Sequence, residues 1–199
     1  MDYQNTLKYL YESTPMFQQI GGKAYKPGLE TTHKLDEHLG HPHQQFRTIH
    51  IAGTNGKGSC SHTIAAVLQA AGYKVGLFTS PHLIDFRERI RINGEMIPED
   101  YVVSFVEEHR SFFEPLHPSF FELTTAMAFR YFADQQVDTL VQLFNSSAKT
   151  MQAFIALAFI VKTLFTAPDT LPTITGMSSL MIPAFSLAIL VSVLPRYCI

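Results

Sequence analysis

At 199 residues the chain can bury the core of one domain, and a net charge of -2 with 16% charged residues gives no electrostatic footprint for nucleic acid or an anionic membrane. Its two cysteines, Cys60 and Cys198, lie far apart and form no metal or redox spacing, so a reducing compartment is the simplest reading. The start, MDYQNTLKYLYEST, lacks the basic residues and apolar run of a secretory leader, so the cytoplasm is the expected location.

Tyr3, Leu7, Leu10 and Tyr11 recur at helical spacing and predict a short amphipathic helix. Gly and Pro punctuate GGKAYKPGLE, and Leu29 to Leu39 predict a second helix stopped by Gly40. HPHQQF reads as a connector. Arg47 to Ala52 alternate and are rich in β-branched residues, which predicts a strand. A glycine loop follows, then a helix with Ile64, Val67, Leu68 and Ala71 as its apolar face and Gly72 as its stop. YKVGLFTSP predicts a short strand closed by Pro81. Strand, loop, helix and strand within about thirty residues have the size of one βαβ unit.

RERIRINGEMIPED predicts a hairpin around Asn93-Gly94. Pro98 opens a helix whose apolar face is Val102, Phe105, Val106 and His109. FFELTTAMAFRYFADQQ predicts another, with Leu123, Met127 and Tyr131 in register, and Val137 should begin the next strand. No internal repeat is visible. Composition breaks at this point. Beyond residue 138 the only charged residues are Lys149, Lys162, Asp169 and Arg196, and ten of the eleven glycines lie before it. Two segments are therefore expected, 1–138 and 139–199.

HIAGTNGKGSCSHTI carries the chemistry. The common phosphate-loop pattern is G-x-x-x-x-G-K-[ST], and this stretch departs from it twice: Ile51 stands at the first glycine position, and Gly58 follows Lys57, so the hydroxyl arrives late, at Ser59. Even so, a loop between strand and helix places unpaired helix N–H groups and the positive dipole end toward an anion. Gly53, Gly56 and Gly58 allow close backbone approach, and Lys57 adds a mobile cation. Ser59 or Thr54 offers a hydroxyl near a metal ion. A plainer reading makes Ser59 a helix N-cap and Lys57 a solvated lysine.

GTNGKGS, with its displaced hydroxyl, resembles the loop of the Mur-ligase superfamily, and specifically its folate branch, folylpolyglutamate synthase and dihydrofolate synthase. KPGLE, GYKVGLFTSPHL, DFRERIRINGEMI and FFELTTAMAFRYF resemble further motifs of that branch in the same order, from about residue 27 to residue 138. Only 52 residues precede Gly53, which suits the folate branch. The resemblance implies an α/β fold, P-loop NTPase-like, with a parallel sheet and flanking helices, here truncated. It implies an ATP- and Mg2+-dependent ligase that phosphorylates a carboxylate of dihydropteroate or a folate and joins L-glutamate to it.

By resemblance, Thr54, Asn55, Gly56, Lys57, Gly58 and Ser59 hold ATP, Lys57 acts catalytically, and Ser80 ligates magnesium. His82, Phe86, Arg89, Phe121, Glu122, Leu123 and Thr124 are the implied substrate residues. Plainer readings stand beside these: Ser80 as a turn residue, the charges of RERIR as the solvated face of a strand, and Glu122 as a carboxylate favoured by a helix N-terminus. The phenylalanines and Met127 read as core. Implied partners are small molecules; a monomer is expected, with neither nucleic acid nor membrane.

The family's E-V-G strand end, its glycine-rich loop and its later metal ligands have no counterpart after Asp138. From the joint loss of motif, charge and glycine, residues from about 139 onward are expected to come from a shifted reading frame or to be otherwise replaced, and weak or absent ligase activity is expected. Leu180 to Leu194 is apolar but only 15 residues long and broken by Pro183, short of the roughly 18–20 that span a bilayer. Poorly specified or aggregation-prone structure, with local helices, is expected there. The alternatives are another P-loop NTPase or kinase, and an inactive nucleotide-binding fragment with a membrane-associated tail.

Overall fold

A computed structural model describes residues 1–14, 28–52, 56–144 and 190–194. In chain order these form α1 (Tyr3–Ser13), α2 (Glu30–His38), β1 (Arg47–Ala52), α3 (Lys57–Ala70), β2 (Val75–Phe78), β3 (Ile90–Ile92), β4 (Glu95–Met96), α4 (Glu99–Phe113), α5 (Phe120–Asp134), β5 (Thr139–Phe144) and β6 (Leu190–Leu194). Short 3-10 turns occupy Pro42–Gln45, Phe86–Arg89 and Glu114–Leu116.

The strands make one sheet in the order β4-β3-β2-β5-β1-β6. β2, β5 and β1 are parallel; β3, β4 and β6 run antiparallel to their neighbours. The sheet is thus mixed rather than wholly parallel. β1 and β2 are joined through α3 yet do not pair: β5 lies between them, with Thr139 beside both Arg47 and Val75. The second strand of the expected βαβ unit is therefore one place further across the sheet.

Alternation along the strands divides the core in two. Ile49, Ile51, Val75, Leu77 and Val141 meet Ala65 of α3, with Cys60, Ile64 and Leu68 packed against them. On the opposite side Phe78, Ile90 and Leu140 join the larger cluster formed by α1, α2, α4 and α5, including Leu10, Leu35, Val102, Phe105, Leu123, Met127 and Phe132. Gly76 is required by this packing, because a Cβ there would stand 2.9 Å from the Phe132 ring.

Several elements depart from the sequence expectation. The buried line of α3 runs through Ser61 and Ala65, while Val67 is 63% exposed. His109 is only partly buried and sits against His38, while Phe113 completes the buried face of α4. Val137 is buried ahead of a strand that begins at Thr139. Phe86–Arg89 is a 3-10 turn, not a strand face, and Arg89 is 5% exposed. Leu190–Leu194 is a strand beside β1, where local helix was expected. The remainder of 145–199, with most of the apolar stretch weighed as a membrane segment, lies outside the described residues. Among the described residues no helix is long and apolar enough to cross a membrane.

Candidate functional site

β1, β5 and β2 are parallel, so the chain leaves β1 and β2 at one edge of the sheet. Ala52 pairs with Phe144 at that edge, and Phe78 with Gln142. The glycine loop after β1 and the Thr79-Ser80-Pro81 turn after β2 therefore emerge on either side of β5. Open α/β sheets bind ligands at this kind of crevice, beyond the carboxyl ends of their strands.

Gly53, Thr54 and Asn55 lie outside the described residues. Gly56 is the N-cap of α3 and has φ 75°, a left-handed conformation that favours glycine. Lys57 is the first helical residue and half-buried, so Gly58 and Ser59 lie in the first turn with exposed surfaces. Ser59 is not the N-cap; its carbonyl accepts from Thr63 Oγ1 at 2.9 Å. Among the described residues nothing comes within 4 Å of where a Gly58 Cβ would stand. The first-turn N–H groups of α3 and the Lys57 amine suit an anion at this end.

Ser80 is partly buried, and its peptide to Pro81 is cis. The loop beyond it is tied together by Glu88, whose carboxylate accepts from the backbone N–H of Leu83, Ile84 and Asp85 at 2.9, 3.1 and 2.9 Å. These bonds hold the Glu88 carboxyl below its ordinary value. Asp85 takes a forked pair of bonds from Arg87 and one from Tyr3 Oη at 3.0 Å; its pKa is lowered to about 2, chiefly by Arg87. The loop presents Leu83 and Ile84 to solvent.

Behind this loop, Arg89 Nε donates to His82 Nδ1 at 2.7 Å. The Arg89 guanidinium lies 5.1 Å over the Phe120 ring, which Tyr11 stacks upon and Phe86 meets edge-on. Tyr11 Oη is 3.4 Å from His82 Nε2. Burial lowers the pKa of both Arg89 and His82. Among the described residues no carboxylate forms an ion pair with Arg89. The expected residues His82, Phe86 and Arg89 are thus brought together. Tyr11 and Phe120, read from sequence as helix and core residues, complete the cluster.

The α5 residues divide. Glu122 forms a capping box with Ser119, accepting from its N and Oγ at 2.8 and 2.7 Å, and also from Thr32 Oγ1 at 3.3 Å. Phe121 is 37% exposed and tilts against Phe78. Leu123 and Thr124 are 0% exposed and face the core, so neither offers surface to a ligand in this arrangement.

The dihydrofolate synthase/folylpolyglutamate synthase of Bacillus subtilis is 44% identical to this chain over 123 residues, covering 58% of the chain and 29% of the relative. The solved folylpolyglutamate synthase of Thermotoga maritima superposes with a TM-score of 0.63 at 42% identity, over 72% of this chain and 33% of that one. The N-terminal part of this chain is homologous to the folylpolyglutamate and dihydrofolate synthases. No protein-family model matches it. A folylpolyglutamate synthase complex with AMPPCP and folate is a further structural neighbour, with TM-score 0.63 and 38% identity over 73% of this chain. The synthase-like segment takes up most of the described residues, and the chain spans 17% to 33% of the length of the first curated relatives it matches.

Proposed function

We propose that this chain carries the nucleotide- and folate-side elements of an ATP-dependent ligase that joins L-glutamate to dihydropteroate or a tetrahydrofolate. One observation carries the reading: the N-terminus of α3 and the Ser80 turn emerge at the same edge of the sheet, on either side of β5. Homology to synthases, one solved with AMPPCP and folate, supports it.

In this reading the segment Thr54–Ser59 holds the ATP phosphates through backbone N–H groups, and Lys57 neutralises charge on the transferring phosphoryl group. A carboxylate oxygen of the pterin substrate takes the γ-phosphoryl group and ADP leaves. The glutamate amine then attacks the acyl phosphate, an amide forms, and phosphate departs with the amine proton lost to solvent. Arg89, a buried guanidinium with no carboxylate partner among the described residues, suits an anionic group of the folate, with His82 and Phe121 as neighbouring surface, while Phe86, 1% exposed, packs behind them rather than offering surface to a ligand. Glu122 faces the same substrate only if its bonds to Ser119 and Thr32 rearrange, and Leu123 and Thr124 support α5 from within.

The site's fit to magnesium rests on hydroxyl and phosphate oxygens. Ser80 would supply one hard oxygen ligand to Mg2+, whose charge would offset that of the phosphates. Residues 139–199 hold a single carboxylate side chain, Asp169, so ligation by this chain is expected to be weak. The reading includes a cytoplasmic monomer and a boundary after residue 138, where the synthase-like segment gives way to a different one.

Titration of the purified chain with a fluorescent ATP analogue tests the proposal. Magnesium-dependent binding that falls at least tenfold in Lys57→Ala is expected, with little incorporation of labelled glutamate into dihydropteroate. Equal binding by wild type and Lys57→Ala would remove the phosphate cradle from the argument.

A further inference from the structure

Asp36, His41 and His43 form a cluster that the nucleotide edge does not use. Asp36 lies in the last turn of α2, and Gly40, with φ 75°, follows the end of that helix. His41 adopts a left-handed conformation at φ 54°, and Pro42 opens the 3-10 turn that carries His43. The chain doubles back so that His41 N donates to the Asp36 carbonyl at 2.9 Å. Both imidazoles then turn Nδ1 toward one carboxylate, His41 at 2.7 Å from Oδ2 and His43 at 2.5 Å from Oδ1. A ligand atom from each residue lies within 4.8 Å of the other two.

We propose that Asp36, His41 and His43 bind a divalent transition-metal ion of the zinc, cobalt or nickel class. Two imidazoles and one carboxylate form a borderline donor set that suits these ions, whereas magnesium and calcium favour oxygen ligands alone. Ligand atoms about 2.1 Å from such an ion stand roughly 3.3 Å apart. With Asp36 Oδ2 as the carboxylate ligand, its pair with His41 opens by about 0.6 Å, and any wider pair closes by no more than about 1.5 Å. His41, with its side chain 50% exposed, supplies that motion, while Asp36 and His43 at 20% and 12% stay held. The exposed side leaves a fourth position for water. All three ligands lie within eight residues, so little chain entropy is lost in gathering them.

This site is separate from the phosphate loop. The cluster precedes Arg47, the first residue of β1, whereas the loop follows Ala52, its last. Six strand residues at about 3.3 Å each place the two ends roughly 20 Å apart. The ion would pin the end of α2, whose Leu35 and following Leu39 are buried, to the chain entering β1.

The chain has nine histidines, so binding must be localised by substitution. Metal-stripped full chain is titrated with Co2+ while its visible absorption is followed, then with Zn2+ against a chromophoric chelator. One equivalent bound at micromolar concentration is expected, unaffected by millimolar Mg2+, with affinity reduced at least tenfold in His41→Gln and Asp36→Asn. His41→Gln is decisive because its side chain is half-exposed and its far-ultraviolet circular dichroism should match wild type. His38→Gln serves as a control and should bind as wild type does. Failure to take up either ion, or equal uptake by wild type and a folded His41→Gln, would leave Asp36 as only a hydrogen-bonded anchor for two histidines. ATP-analogue binding should persist in His41→Gln, which separates this result from the fate of the ligase reading.

Discussion

Arg89 donates through Nε to Nδ1 of His82 at 2.7 Å, so that nitrogen carries no proton and the imidazole proton sits on Nε2, toward Tyr11. Protonating His82 would place a hydrogen on the nitrogen that Arg89 already uses. Burial first, then the Arg89 charge, lowers the His82 pKa. The folded chain therefore holds His82 neutral where the unfolded chain binds a proton. Its contribution is present above the ordinary histidine value and is lost as pH falls below it. Long-range nitrogen–proton NMR should show the Nε2-H tautomer at pH 7. An Nδ1-H tautomer would break the link between His82 and Arg89.

His50, on β1, obeys the same sign with a larger shift. Burial lowers its pKa from 6.5 to about 4. Unfolding then takes up a proton between those values, so stability falls as pH drops from about 6.5 toward 4. Allowing for partial exposure, the loss is on the order of 2 kcal/mol. Denaturant midpoints measured from pH 7 to pH 4.5 should decline, and His50→Thr should flatten that decline. An unchanged slope in the variant would assign the loss to other groups.

Gly76 and Phe132 set a steric limit between β2 and α5. A Cβ at residue 76 would lie 2.9 to 3.1 Å from three atoms of a ring that is itself 0% exposed. The ring is fully buried in the core, so Gly76→Ala should cost about 1–3 kcal/mol through overpacking. Thermal unfolding reads this directly, and Phe132→Leu should recover part of the loss by vacating the ring edge. A neutral Gly76→Ala would mean that α5 is free to move away from the sheet.

The chain's local structure was more legible than its lateral order. Arg47–Ala52 has the bounds expected of it, because alternation and β-branching act within the strand itself. The hairpin follows from Asn93 and Gly94, both at positive φ, φ 50° and 89°. The insertion of β5 between β1 and β2 had no local signal, since it depends on pairing partners 64 and 92 residues away. The α3 face was legible in part: Ile64 and Leu68 pack against the sheet as expected, while Val67 is exposed and Ser61 and Ala65 are buried, because small or apolar residues occupy both sides of that helix and only the sheet decides which side is covered. Arg89 looked solvated among alternating charges; its burial depends on Tyr11 and Phe120, which sequence spacing does not bring near it.

Glu122 holds the start of α5 and is also a candidate for substrate contact, and two substitutions separate these roles. Ser119→Ala removes the hydroxyl that bonds Glu122 but keeps the carboxylate, at a cost of about 1 kcal/mol typical of a lost N-cap. Glu122→Gln weakens the same box and also removes the charge. The two residues share their bonds, so the double variant should lose less than the sum of the singles in urea unfolding. If the carboxylate serves a pterin, Glu122→Gln should weaken folate binding, followed by fluorescence quenching, at least fivefold more than Ser119→Ala at matched folded fraction. Equal affinities in the two variants would confine Glu122 to its structural bonds with Ser119 and Thr32.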